Sequence, residues 1–560
     1  MNITINKFLI YIFSILILVF LILYDPRSSI IAEPFDFNLM IINIALSYLV
    51  YDIDGFIGLH DVFERLKEIS LEKYYSRYYA KLGGFLFDFQ NLEVIKEYNK
   101  LIENKIFEST NLITLSENKI YLNITELGYL FYVILSFLLF GINVKSITIL
   151  FLIIIIFSSF LFMINFYKNN LYFFLLQTIV FSLIIAIIVN YGGSIQITSL
   201  TNHRFVSILC IIPVLHLSLA FLNTNNLTFK TFLLASFQLS LLIFLCISRA
   251  TGIWSILFLF LFYLLWIFKI GLKSFGRYKL NIFSMITTIA LFIMIYNLSN
   301  VLIYHHVADE YKQDKNSIIK HPIWFSMVAG MAMNVKIHEK YVCSDTKLED
   351  IIGVNNRPCK DYPFQFSGKP ELIKYIVYYQ ALDNFGYQAA LRYLNDNNID
   401  EQLGVIQKNL LNPKSLNWPR IEEILKKVYF EILINEPQEF LYMHLIVKPL
   451  KFLFELVKFV FYFFNSFKIN FIFISLIFMA SLFVQFFCIT KIKINKELID
   501  IENSNFKYLI ETILILMFLA AGSNSIIFYP AAQSTIPECF AILITLIVFY
   551  LIRKLNKYLI

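Results

Sequence analysis

The stretch ITILFLIIIIFSSFLFMIN, Ile147–Asn165, decides the broad class of this chain. It is a run of isoleucine, leucine and phenylalanine without a single charged residue. A helix rises about 1.5 Å per residue, so roughly 20 apolar residues are needed to cross the hydrocarbon core of a bilayer. A run of this kind reads as a membrane helix. Comparable runs lie at about 127–142, 171–190, 204–222, 230–248, 252–270 and 282–303, and later at about 470–490, 507–528 and 534–552. An earlier one, Phe8–Leu23, follows Lys7. Tyr24-Asp25-Pro26 after it is a poor small-residue cleavage site, so it reads as an uncleaved first span.

Composition agrees. Of 560 residues, 58% are hydrophobic, 17% aromatic and only 16% charged, with a mean hydropathy of +0.67. A soluble chain carries about a quarter charged residues. The net charge of +7 has its explanation in short basic loops rather than in a nucleic-acid partner. The expected fold is therefore an all-α polytopic membrane protein of about 11–12 transmembrane helices, with two external segments and interfacial amphipathic helices. Its partner in the first instance is the lipid bilayer.

Basic loops set the orientation. Lys269, Lys273, Arg277 and Lys279 mark one inside loop, Lys491, Lys493 and Lys496 a second, and Arg553, Lys554 and Lys557 a third. The resulting division is a first helix at 1–24, an external segment at 25–126, a helix bundle at 127–303, a large external segment at 304–469 and C-terminal helices at 470–560. Lys448, Lys451, Glu455 and Lys458 recur at helical spacing, so 446–465 reads as an interfacial amphipathic helix on the outer leaflet. Residues 418–447 read as a helix, a break marked by Pro437 and a second helix feeding the interfacial one. An even number of spans must separate two segments on the same side, yet seven runs do. Either one run does not cross, or Leu39–Val50 does and residues 52–126 are cytoplasmic.

Four of the six cysteines (Cys210, Cys246, Cys488 and Cys539) sit in apolar runs and read as packing residues. Cys343 and Cys359 lie in the long polar segment, as a disulfide if it faces an oxidising compartment and as free thiols otherwise.

Polar residues at bilayer depth are costly and invite a functional reading. In AEPFDFNLMIINIALSYLVYDIDGF, Ala32–Phe56, acids flank a short apolar run. Asn43 and Ser47 stand four apart on one helical face, with Asp36 two turns earlier, so the run reads as a surface-lying helix. Asp36 is then either its N-terminal cap or a base held at the membrane boundary. Asp52 and Asp54 share one face of an extended segment, as a solvated turn or as a pair holding Mg²⁺ or Mn²⁺.

The order of a first span, an external carboxylate, an alanine-containing helix and a Gly-aromatic turn resembles the start of the GT-C superfamily of membrane glycosyltransferases. The resemblance covers about 25 residues and falls on Glu33 or Asp36, on Ala45 and on Asp54-Gly55-Phe56. Where that superfamily places an adjacent Asp-Glu pair, this chain has Glu33-Pro-Phe-Asp36. The resemblance implies a polyprenyl-phosphate-linked sugar donor, a glycan or lipid acceptor, and Glu33 or Asp36 as base or metal contact.

Two further places concern the departing phosphate. His203, Arg204 and Arg249 lie at the external ends of apolar runs, where a planar guanidinium suits a lipid-linked phosphate or simply snorkels to head groups. Leu242–Ala250 also resembles the Ser-Arg segment of O-antigen ligases and polymerases, which implies loop arginines on the diphosphate and a loop histidine, here His305 or His306, as base. In the external segment, His321-Pro-Ile-Trp324 reads as a base or phosphate contact beside a sugar-stacking shelf, or as the core of a folded subdomain. A flippase or transporter of lipid-linked glycans is the remaining reading. It fits less well, because no internal repeat is visible and the candidate charges lie at span ends.

Overall fold

The structure is a computed structural model and describes residues 12, 37–50, 58–59, 119–120, 127–166, 170–191, 203–222, 229–270, 290–291, 293–298, 301, 305, 323–342, 379–399, 418–469, 509–528 and 535–558. It is almost entirely helical. The strands among the described residues are two of two residues each, β1 (Gly58–Leu59) and β2 (Lys119–Ile120), paired antiparallel with Gly58 opposite Ile120. Three described helices are long and apolar enough to cross a membrane, over Lys145–Phe166, Phe229–Ser248 and Ile510–Ile527. Six shorter apolar helices accompany them, among them Phe205–Ala220 and Thr535–Leu551. Runs 8–23 (apart from residue 12), 470–490 and most of 282–303 lie outside the described residues.

One core gathers the apolar helices. It is built from α1 (Phe37–Val50), α2 (Leu127–Phe140), α3 (Val144–Phe166), α4 (Asn170–Tyr191), α5 (Ile211–Leu222), α6 (Phe229–Ser248) and α7 (Trp254–Ile270), and from α14 (Leu509–Ile527) and α15 (Thr535–Tyr558). The longest side-by-side packings are α15 on α4 and on α14, with α14 also against α7. Several buried polar groups pair between the helices. Ser158 Oγ donates to Gln238 Oε1 at 3.0 Å, and Gln238 Nε2 returns to the Ser158 carbonyl at 2.7 Å, tying α3 to α6. Thr545 Oγ1 donates to Ser182 Oγ at 2.9 Å between α15 and α4, and Asn165 meets His216 at 3.0 Å between α3 and α5. Such bonds hold helices together where apolar contact gives no preference over lipid.

The opening helix differs from expectation. The spacing predicts α1 lying along the membrane surface with Asn43 and Ser47 on one face. Both are instead fully buried, along with Ile41, Ile44, Ala45 and Leu46, as α1 packs on α2 and β1. Buried residues from Ile41 to Ser47 surround the axis. The polar pair is satisfied internally, with Ser47 Oγ donating to the Asn43 carbonyl at 2.8 Å.

A second, smaller core lies in the long polar segment. It is formed by α8 (Ile323–Ala329), α9 (Val335–Val342), α10 (Tyr379–Asp396) and α11 (Trp418–Asn435). Glu422 of α11 accepts the backbone N–H groups of Trp324 and Phe325 at 3.0 and 2.7 Å, anchoring the start of α8. After Glu436, Pro437 opens α12 (Pro437–Tyr442), a π-helical turn follows at Met443–Val447, and α13 (Lys448–Ile469) continues. This is the helix, break and helix that the sequence predicts. α13 packs against α4, α14 and α15.

Candidate site at the end of the helix bundle

Four segments converge where the bundle meets the smaller core. Helix α6 breaks after Ser248. Arg249 adopts an extended backbone (φ −144°, ψ 114°) and a 3₁₀ turn, Ala250–Ile253, leads into α7. A second 3₁₀ stretch, His203–Cys210, packs against that turn and against α6. The third segment is the end of α14, where Asn524 Nδ2 donates to the Thr251 carbonyl at 3.1 Å. The first turn of α15 is the fourth.

Small residues allow the convergence. A Cβ on Gly128 of α2 would collide with the Ile247 carbonyl. Ser248 Oγ donates to the Phe244 carbonyl at 2.8 Å, capping α6 from within. Gly252 sits 3.3 Å, measured from where its Cβ would be, from Cys210 Sγ, and its carbonyl accepts Ser255 Oγ at 2.6 Å. Cys210, Cys246 and Cys539 are buried free thiols, as their apolar runs predict. Cys343, Cys359 and Cys488 lie outside the described residues.

Arg249 is buried to 9% exposure, and its Nε donates to Thr251 Oγ1 at 3.2 Å. The buried group that answers it is Glu538 in the first turn of α15, with no exposed surface. Arg249 is near enough to act on that carboxyl by charge, and Ser207 and Trp254 stand beside it. Yet neither Glu538 oxygen completes a hydrogen bond of ordinary length and angle among the described residues, nor does Trp254 Nε1 or Thr535 Oγ1. Buried polar atoms are nearly always satisfied, so these groups stand out among the buried polar atoms of the bundle. Chemically the cluster offers a guanidinium of the kind that suits a phosphate, with indole and hydroxyl groups and a buried carboxyl beside it.

The end of α14 also ties the two cores together. His444 Nδ1 meets the Ile526 carbonyl at 3.0 Å, and its Nε2 meets the Tyr429 hydroxyl at 3.2 Å. The pair of contacts assigns the proton to Nδ1, with Tyr429 donating to Nε2. Burial and the charge of nearby Lys448 hold His444 down to about 4, so the ring is neutral near pH 7. Lys448 Nζ donates to the Ile527 carbonyl at 3.2 Å. Both side chains thus satisfy carbonyls that the end of α14 leaves open. A Cβ on Gly330 would strike the neighbouring Phe528 carbonyl.

Of the residues singled out in the sequence, Arg249 stands at this convergence. The 3₁₀ stretch that begins with His203 and Arg204 packs against the turn that follows it. Glu33, Asp36, Asp52, Asp54, His306 and His321 lie outside the described residues, and His305 is exposed. Trp324 packs beside Tyr429 and Phe430, each with ring centroids 5.7 Å away, under the ammonium of Lys426. Glu538 was not singled out. It is the single acid in the run 534–552, and the cost of a carboxylate inside an apolar helix was the available signal. Among the described residues no three of His, Cys, Asp and Glu gather as a metal site.

Comparison of the chain with protein families, with curated proteins and with solved structures finds no match.

Proposed function

We propose that this chain is a multi-pass glycosyltransferase of the bacterial inner membrane, acting at its outer, periplasmic face. It transfers a sugar from a polyprenyl-phosphate donor to a cell-envelope glycan or lipid acceptor. The observation that carries this reading is Arg249, a buried cation at the broken end of an apolar helix, close to the buried carboxyl of Glu538. A lipid-linked phosphate needs such a cation at that depth, because phosphate is the group that departs with the negative charge. In the reaction the acceptor hydroxyl oxygen bonds to the sugar's anomeric carbon, the bond from that carbon to the phosphate oxygen breaks, and the hydroxyl proton passes to a carboxylate. Glu33 or Asp36 is the proposed base. Arg249, with Arg204 on the adjoining 3₁₀ stretch, neutralises the polyprenyl phosphate that leaves. A divalent cation, Mg²⁺ or Mn²⁺, at Asp52 and Asp54 belongs to the same reading, and it would offset phosphate charge there.

The same Ser248–Arg249 break supports a second reading, an O-antigen ligase or polymerase. The packing of the segment carrying His203 and Arg204 against the turn after Arg249 favours it, since such enzymes use several arginines on a diphosphate.

Deletion of the chain, complemented by wild type, Arg249→Ala, Glu33→Ala, Asp36→Ala or His321→Ala, tests both through the glycans on extracted envelope lipids and polysaccharide. The first reading expects loss with the Arg249 change and with Glu33 or Asp36. The second expects loss with Arg249 and a histidine. Unchanged glycans in the deletion overturn both.

A further inference from the structure

The outer side of the α12–α13 arm belongs to neither core. Leu441, Leu445, Leu450, Leu453, Val457 and Phe461 recur three to five residues apart and are all exposed, Leu445 to 70% and Phe461 to 64%. Beneath them the arrangement is the reverse of a water-facing helix. Lys448 and Lys451 are buried, and Lys451 Nζ meets Glu455 at 2.7 Å on the inner side. The π-helical turn at Met443–Val447 accounts for the change of register. It contributes Met443 and Val447 to the smaller core, whereas Phe452, Leu456 and Phe459 beyond it enter the bundle core. An extra residue in a helical turn rotates all that follows by about 100°. The apolar stripe is thereby kept outward from Leu441 to Phe461 while the inner side passes from one core to the other.

We infer that this stripe is a lipid-seating surface, occupied by the acyl chains of the outer leaflet, and that it fixes the smaller core against the membrane. Water leaves such a stripe as a contiguous exposed apolar patch, which folded proteins cover. Hydrocarbon is the occupant that also explains the inward lysines, since a charged side chain facing lipid is the costly arrangement. The stripe continues alongside candidate span Ile510–Ile527, whose own Ile515 and Leu519 are exposed. On the opposite, polar side of the arm, Glu436 and Glu439 are engaged by Lys340 and Lys336 of α9. The inference does not depend on the proposed transfer chemistry.

The test uses the full chain in native membranes. A benzophenone amino acid is placed singly at Leu445, Leu453 and Phe461, and at exposed Lys427 of α11 as the control. After irradiation the first three should carry a mass shift of one phospholipid, and the Lys427 position should not. In parallel, the unmodified chain is labelled with a phospholipid bearing a diazirine in its acyl chain. The label should map to the peptide spanning 441–461 as well as to Phe229–Ser248. Crosslinks to a second copy, giving doubled mass, or to another protein would overturn the inference. So would labelling of Phe229–Ser248 that leaves 441–461 untouched.

Discussion

The two cores are built for different surroundings. In the bundle, Leu138, Phe229 and Leu265 point outward while Gln238, Ser158, Thr545 and Glu538 are enclosed. In the smaller core, Phe325, Met331, Ile424 and Leu425 are enclosed while ion pairs such as Arg392–Asp396 and Arg420–Glu423 lie outside. The first arrangement suits hydrocarbon and the second suits water. The α12–α13 arm carries the first pattern on its outer side and joins both cores.

The largest effect expected from breaking this contrast is at the close approach of α2 to α6. Gly128→Val drives a side chain into the Ile247 carbonyl and should cost about 3 kcal/mol or more, read as loss of folded protein in detergent extracts. Gly330→Val should instead part the smaller core from the end of α14, leaving the bundle folded. Limited proteolysis of the chain in membranes should then cut within 323–342 while sparing Phe229–Ser248.

Acid should loosen the smaller core more gradually. His338 and His444 are both held down to about 4 by burial, below the ordinary 6.5, so folding favours their neutral forms. Their contribution is complete above about pH 6.5 and falls as the pH drops toward 4. Trp324 fluorescence should report this transition, and His338→Phe should flatten it.

Gln238→Leu removes two buried interhelical bonds yet should cost only about 0.6–1.7 kcal/mol, because bonds of this kind are individually modest. The smallest change should come from Lys336→Met, whose partner Glu439 keeps the Asn334 amide at 2.8 Å. A Tm indistinguishable from wild type is expected.

Where the sequence was legible, a local pattern decided the structure. Apolar runs announced α3, α6 and α14, and Pro437 announced the break before the arm. The burial of helix α1 was not legible, because an apolar run interrupted only by Asn43 and Ser47 fits an exposed helix and a buried one equally well. That burial comes from packing on α2, almost a hundred residues away. The candidate site was half legible for the same reason. Arg249 stands out at the end of a run, but its carboxylate neighbour Glu538 comes from the last described helix, and no local window contains both. The inward turn of Lys448 and Lys451 likewise depends on neighbours rather than on spacing.

Arg249 is proposed to serve a lipid-linked phosphate at the outer end of the bundle. The most direct test is transfer of labelled sugar from a defined polyprenyl-phosphate donor in proteoliposomes holding the purified chain. Wild type should transfer sugar to extracted envelope acceptor and release polyprenyl phosphate. Arg249→Ala should fall by about 100-fold or more, the scale of losing one preorganised group that stabilises charge in the transition state. Equal transfer by wild type and Arg249→Ala, or none by wild type with any lipid-linked donor, would contradict the account.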